Sequence, residues 1–122
     1  MLQGLRTVIY QVKDLSKAKE WYTELLGKKP YFDEPFYVGY NVGGFELGLQ
    51  PEEEGIGSGT SVAYWGVKDA KRTYESLVKG GSISVEPITD VGGGILIGTV
   101  IDPCGNLFGV IENPNFVYTP PE

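Results

Sequence analysis

The sequence predicts an α+β fold: a single domain, residues 1–122, made of two tandem β-α-β-β-β modules. Three observations predict it. The same order of strand and helix signals runs through the chain twice. The tripeptide Val-Lys-Asp stands at the same strand-to-helix junction in each copy, as Val12-Lys13-Asp14 and as Val67-Lys68-Asp69. A chain of 122 residues also has the length of one ordinary domain, enough to bury about two-thirds of its unfolded surface.

The first module, about residues 1–50, opens with Leu5 to Val12, rich in β-branched and aromatic residues and read as a strand. Asp14 or Ser16 can cap the helix that follows. Its apolar residues Leu15, Ala18, Trp21, Tyr22, Leu25 and Leu26 recur at spacings of three and four, which makes one stripe, and Gly27 is a natural stop. Shorter strands are expected near Pro30 to Phe32, over Phe36 to Val42 and over Phe45 to Leu49. Gly43-Gly44 between the last two signals a tight hairpin.

A linker, about 51–60, separates the modules. Its run Glu52-Glu53-Glu54 reads as a solvated loop, and its glycines make it flexible. The second module, about 61–113, repeats the pattern. Ser61 to Val67 is a strand and Asp69 a cap. Ala70, Tyr74, Leu77 and Val78 form the stripe of a helix that stops at Gly80-Gly81. Strands are expected around Ser84 to Glu86, Ile95 to Ile101 and Leu107 to Glu112. The proline-containing end, residues 114–122, reads as an irregular tail.

Composition narrows the function. The chain is 41% apolar and 21% charged, with no apolar run approaching the roughly 20 residues of a membrane span. No basic segment followed by an apolar stretch opens the sequence, and one cysteine cannot form an internal disulfide, so a reduced cytoplasmic protein is expected. A net charge of −6 with ten dispersed basic residues excludes the clustered lysines and arginines that hold a nucleic-acid backbone. There is no histidine. The commonest general base and the commonest transition-metal ligand are therefore missing.

The repeat supplies a map. Counting back from Asp14 and Asp69 pairs Thr7 with Val62, and aligning the closing strands pairs Glu46 with Gly109. Side chains alternate across a strand. If Val12 and Val67 face the helices, Thr7, Ile9 and Gln11 share the other face with Glu46, Gly48 and Gln50. Tyr64 and Gly109 face the same way in the second module, whereas Tyr10, Trp65 and Glu112 have helix-facing parity. Tyr37 and Tyr40 have no assigned parity.

Val12-Lys13-Asp14-Leu15, Trp21-Tyr22, Leu25-Leu26-Gly27 and the turn Asp102-Pro103-Cys104-Gly105-Asn106 come in an order that resembles the vicinal oxygen chelate superfamily, which includes glyoxalase I, bleomycin-resistance proteins and extradiol dioxygenases. The resemblance covers essentially the whole chain. It implies that the modules form a curved mixed sheet with a cleft, and that the protein is a homodimer. Metal-dependent members hold an ion there with four side chains, and those positions here are Thr7, Glu46, Val62 and Gly109. Only Glu46 binds a metal well, and catalytic transition-metal sites generally use at least three protein ligands. The expectation is a cleft with no metal and no other cofactor.

The candidate ligand-binding residues are Glu46, Tyr64, Thr7 and Gln11. Glu46 is the one candidate for catalysis; its alternative is a partly exposed strand glutamate. Tyr64 could stack on a planar ligand, while Thr7 and Gln11 offer neutral hydrogen bonds. Cys104 has no histidine to activate it and reads as a turn residue. Gly92-Gly93-Gly94 lacks the Gly-Lys-Ser/Thr continuation of a phosphate loop. The leading expectation is a glyoxalase/bleomycin-resistance-like protein that sequesters a small organic ligand, cationic or aromatic. The alternatives are a metal-independent lyase or isomerase working through Glu46, with a dioxygenase less favoured, and a non-catalytic regulatory module.

Overall fold

Asp14 and Asp69 start the two helices. Each stands in extended backbone at the end of a strand, and its side chain accepts a bond from the backbone N–H three residues on, Lys17 N at 3.1 Å and Arg72 N at 3.0 Å. The computed structural model describes residues 2–52, 60–103 and 105–117. Most of the expected solvated linker (53–59), Cys104 and the end of the expected tail (118–122) lie outside the described residues.

The elements in chain order are β1 (Leu2–Val12), α1 (Leu15–Leu26), β2 (Phe32–Glu34), β3 (Tyr37–Val42), β4 (Phe45–Pro51), β5 (Ser61–Val67), α2 (Ala70–Lys79), β6 (Ile83–Asp90), β7 (Leu96–Ile101) and β8 (Leu107–Glu112). The β-α-β-β-β unit thus occurs twice, and the fold is α+β. The chain divides into two compact units. One is Thr7–Ser61; the other is Val62–Val117 together with the start of β1 up to Arg6. Among the described residues no helix is long and apolar enough to cross a membrane.

In the first unit the strand order is β2-β3-β4-β1, antiparallel except for the closing pair of β4 and β1. Gly43 and Gly44, with φ of 63° and 92°, form the hairpin turn that sets Val42 opposite Phe45; such angles suit glycine because it has no Cβ. The hairpin decides the parity left open for the tyrosines. Tyr37, Gly39 and Asn41 share a face with Glu46, Gly48 and Gln50, and the parallel pairing adds Thr7, Ile9 and Gln11.

The other face carries the core of this unit. Val38, Tyr40 and Leu49 are buried there beneath Leu15, Ala18, Tyr22 and Leu26 of α1. Tyr40 donates its hydroxyl proton to Lys19 O at 2.9 Å, so the buried phenol is satisfied. The helix stripe is narrower than the sequence predicts: Trp21 and Leu25 are 58% and 62% exposed. Each precedes a packed residue by one position, which turns it about 100° around the axis and away from the sheet. Strand β2 also begins later than expected. Pro30 has no N–H to give, and the first bond to β3 comes from Tyr31 N to Gly39 O at 3.0 Å.

In the second unit the order is β5-β8-β7-β6, again with one parallel pair, β5 with β8. Val67, Ala70, Tyr74, Val100 and Val110 form its core, joined by Leu77, Ile88, Leu96 and Phe108. Strand β6 is longer than the expected Ser84 to Glu86. Its register shifts on either side of Glu86, and Pro87 sits in this edge strand, where no neighbour needs its missing N–H. Trp65 stacks on Phe108 with centroids 5.9 Å apart, and in the first unit Tyr10 approaches Tyr22 at 6.3 Å. Glu112 also lies on the helix side, where its Oε1 accepts from Ala70 N at 2.9 Å and caps α2.

Candidate functional site

The face of the first unit turned away from α1 presents the Glu46 carboxylate with a set of hydroxyl donors. Glu46 stands on β4 between Thr7 of β1 and Asn41 of β3, its ladder partners on either side. Tyr37 donates to Glu46 Oε1 at 2.8 Å, and Thr7 Oγ1 donates to the same oxygen over a longer 3.4 Å. Tyr31 donates its hydroxyl proton to Oε2. Hydrogen bonds to an ionised acceptor are stronger than neutral ones, and here they hold both oxygens in place.

Two glycines make this geometry possible. Gly39 and Gly48 are ladder partners on the same face as Glu46. A Cβ on Gly48 would lie 2.6 Å from Tyr37 Cζ, and a Cβ on Gly39 would lie 2.8 Å from Glu46 Oε2 and 3.2 Å from Tyr31 Cε1. Both are closer than a real Cβ approaches. The two bare positions form a shallow trough in the sheet, in which the rings of Tyr31 and Tyr37 reach the carboxylate.

The trough continues into aromatic surface. The Phe32 ring meets Phe36 and Tyr37 edge-on, each at 6.0 Å between centroids. Tyr31 and Phe36 are 65% and 66% exposed. Loss of water around its hydroxyl, the bond to Glu46 and the carboxylate charge, in that order, hold the Tyr31 phenol well above the ordinary tyrosine range. The phenol stays a proton donor.

The structure brings Thr7 and Glu46 together and adds Tyr31 and Tyr37 to them. Gln11 lies on the same face, four residues along β1 from Thr7, or roughly 13 Å. Its side chain is 3% exposed, and its Oε1 has no hydrogen-bond partner among the described residues. Tyr64 belongs to the second unit. It is buried, with its ring over Gly109, where an added Cβ would lie 2.5 Å from Tyr64 Cδ1. Tyr37 was within reach of the sequence, because the hairpin register alone assigns its face. Tyr31 carried no such signal, since it lies in the bend before β2.

The ladders also correct the repeat map. Thr7 pairs with Glu46, but Tyr64 pairs with Gly109. With β1 and β5 aligned on their capping aspartates, Tyr64 matches Ile9, whose partner is Gly48. Gly109 therefore corresponds to Gly48, and the counterpart of Glu46 is Leu107, two residues earlier. The sequence alignment slipped by one full period of the strand, which preserves the face and so leaves no mark in the pattern.

Neither register supplies a metal site. The four positions offer Thr7, Glu46, Val62 and either Gly109 or Leu107, and Thr7 is already engaged as a donor to Glu46. Among the described residues no three His, Cys, Asp or Glu side chains are grouped so as to hold an ion. This donor set does not fit the metal that the family's metal-dependent members carry.

Comparison with known proteins agrees with this architecture. Among curated proteins nothing matches the sequence. Among solved structures, a methylmalonyl-CoA epimerase in complex with methylmalonyl-CoA and NH4+ is similar at a TM-score of 0.71 and 15% identity, over 98% of this chain and 100% of that one. A variant of the Streptomyces coelicolor methylmalonyl-CoA epimerase, in complex with 2-nitronate-propionyl-CoA, has a TM-score of 0.71 at 16% identity and the same coverage. A glyoxalase/bleomycin resistance protein/dioxygenase superfamily member from Vibrio splendidus 12B01 has 0.67 at 19%, over 89% of this chain and 99% of that one. At these identities the likeness is one of fold. Residues 4–110 match the family model of the Glyoxalase/Bleomycin resistance protein/Dioxygenase superfamily, and the chain belongs to that superfamily.

Proposed function

We propose that this protein binds a small organic molecule at the exposed aromatic edge of its first unit, beside Glu46, without help from a resident metal ion. The observation that carries the reading is the clamp itself. Two tyrosines and a threonine hold one carboxylate in a fixed orientation at the edge of exposed aromatic surface. Aromatic rings give a ligand contact area at low entropic cost, and a few oriented polar groups select it. A carboxylate offers about four lone-pair directions. The three hydroxyls use three of them, and a ligand N–H or O–H meets the remaining one.

The Tyr31 phenol, held above the ordinary tyrosine range by burial and by its bond to Glu46, serves as a donor that orients the carboxylate. Nuclear magnetic resonance titration of the protein with a library of small aromatic and polar compounds tests the reading. Binders should shift the backbone signals of Gly39, Glu46 and Gly48. A library without binders, or binders confined to other surfaces, would refute it.

A further inference from the structure

The Glu46 carboxylate has no ion-pair partner among the described residues and stands beside aromatic side chains. The hydroxyls on Glu46 are neutral donors, so they orient its charge without cancelling it. The ion pair among the described residues is elsewhere: Lys19 meets Asp33 at 2.9 Å, and Asp33 alternates to the opposite face of β2. Lys28 reaches the end of β3 at which Glu46 stands, but it donates to Asn41 O at 2.6 Å. Glu34 sits opposite Tyr37 in the β2–β3 ladder and brings a second carboxylate to the same face.

Tyr31 and Tyr37 reach this carboxylate with their hydroxyls, the Phe32 ring packs edge-on against Tyr37 and Phe36, and Tyr31 and Phe36 are largely open to solvent. Ring faces are negative and attract organic cations, most strongly where water is displaced. A carboxylate beside several rings therefore recognises an ammonium group on an apolar body. The whole chain adds to the attraction, since a net charge of −6 raises the local concentration of cations.

We infer that the ligand taken at Glu46 is an organic ammonium compound, its cationic nitrogen on the carboxylate and its apolar part on the Phe32–Phe36 surface. This rests on the small-molecule reading above and adds the charge of the guest.

Three soluble probes of matched size separate the two: 2-phenylethylammonium, 2-phenylethanol and 3-phenylpropanoate, each titrated into the intact wild-type protein and followed by calorimetry and by the Glu46 and Gly48 backbone signals. The ammonium compound should bind at least tenfold more tightly than the alcohol, the carboxylate should bind most weakly, and added salt should narrow the gap. Glu46→Gln should remove most of the preference for ammonium over alcohol and leave only the share that Glu34 and the net charge supply. Should that variant fail to fold, Glu34→Gln combined with the wild-type salt series still reads the charge dependence. Equal affinity of ammonium and alcohol for wild type, or preference for the carboxylate, overturns the cation inference and leaves the small-molecule reading standing. No binding of any probe, together with a compound library that yields no binder, overturns both.

Discussion

Tyr37 lies across Gly48, so closely that a Cβ on the glycine would stand 2.6 Å from the phenol Cζ. The contact runs between neighbouring strands, and the space a side chain would occupy at Gly48 is filled by the ring that reaches Glu46. Gly48→Ala should therefore expel Tyr37 from its position. The expected cost is about 1–3 kcal/mol of overpacking, read from the denaturant midpoint, together with loss of ligand binding at Glu46. An alanine variant as stable as wild type with binding intact would show that the ring does not need the trough.

Tyr37→Phe keeps the packing and removes one donor. The bond is to a carboxylate but is only partly buried, so a loss of about 1 kcal/mol is expected. A larger effect should appear in binding, because Glu46 loses one of the donors that orient it. Comparing the denaturation midpoint with ligand affinity in this variant separates folding from positioning.

Tyr31 links stability to alkaline pH. Its folded phenol holds its proton more tightly than an unfolded tyrosine, whose pKa is about 10. Its contribution is therefore complete below pH of about 10 and is lost as pH rises from there toward the folded value. Wild type should lose stability faster than Tyr31→Phe above that point, and the two should run parallel near neutrality. Denaturation midpoints across alkaline pH measure this. Parallel curves throughout would mean that Tyr31 does not bond Glu46 in solution.

Glu112 caps α2 from the neighbouring strand β8. Glu112→Ala would leave the Ala70 N–H without its partner, at a cost of about 1 kcal/mol. The loss should appear in hydrogen exchange as faster exchange at the start of α2, with the amides of the first unit unaffected. Unchanged protection of Ala70 would remove the cap from the account.

Zinc, nickel and iron should bind this chain no better than they bind any acidic surface. Thr7, Glu46, Val62 and Gly109 or Leu107 provide a single good donor. Thermal unfolding with each ion should show no stoichiometric stabilisation. A one-to-one shift with any of them would mean that donors outside these positions assemble a site.

Much of this protein was decided locally and could be read along the chain. Asp14 and Asp69 cap helices because a short carboxylate three residues ahead of an N–H makes that bond wherever the chain folds. Gly43-Gly44 forms the hairpin because its positive φ angles suit glycine, and alternation within β1 places Thr7 and Gln11 on one face whatever lies around them. The absence of histidine needs no structure at all. What the tertiary structure alone decided lies where strands pair across long stretches of chain. It set Gly109 rather than Ile111 beside Tyr64, turned Trp21 and Leu25 to solvent, and bent Tyr31 back from outside the ladder onto Glu46. A period-two pattern looks the same after a two-residue slip, and a bend carries no period. The carboxylate at Glu46 was therefore legible from the sequence, whereas the two phenols that hold it depend on register and packing.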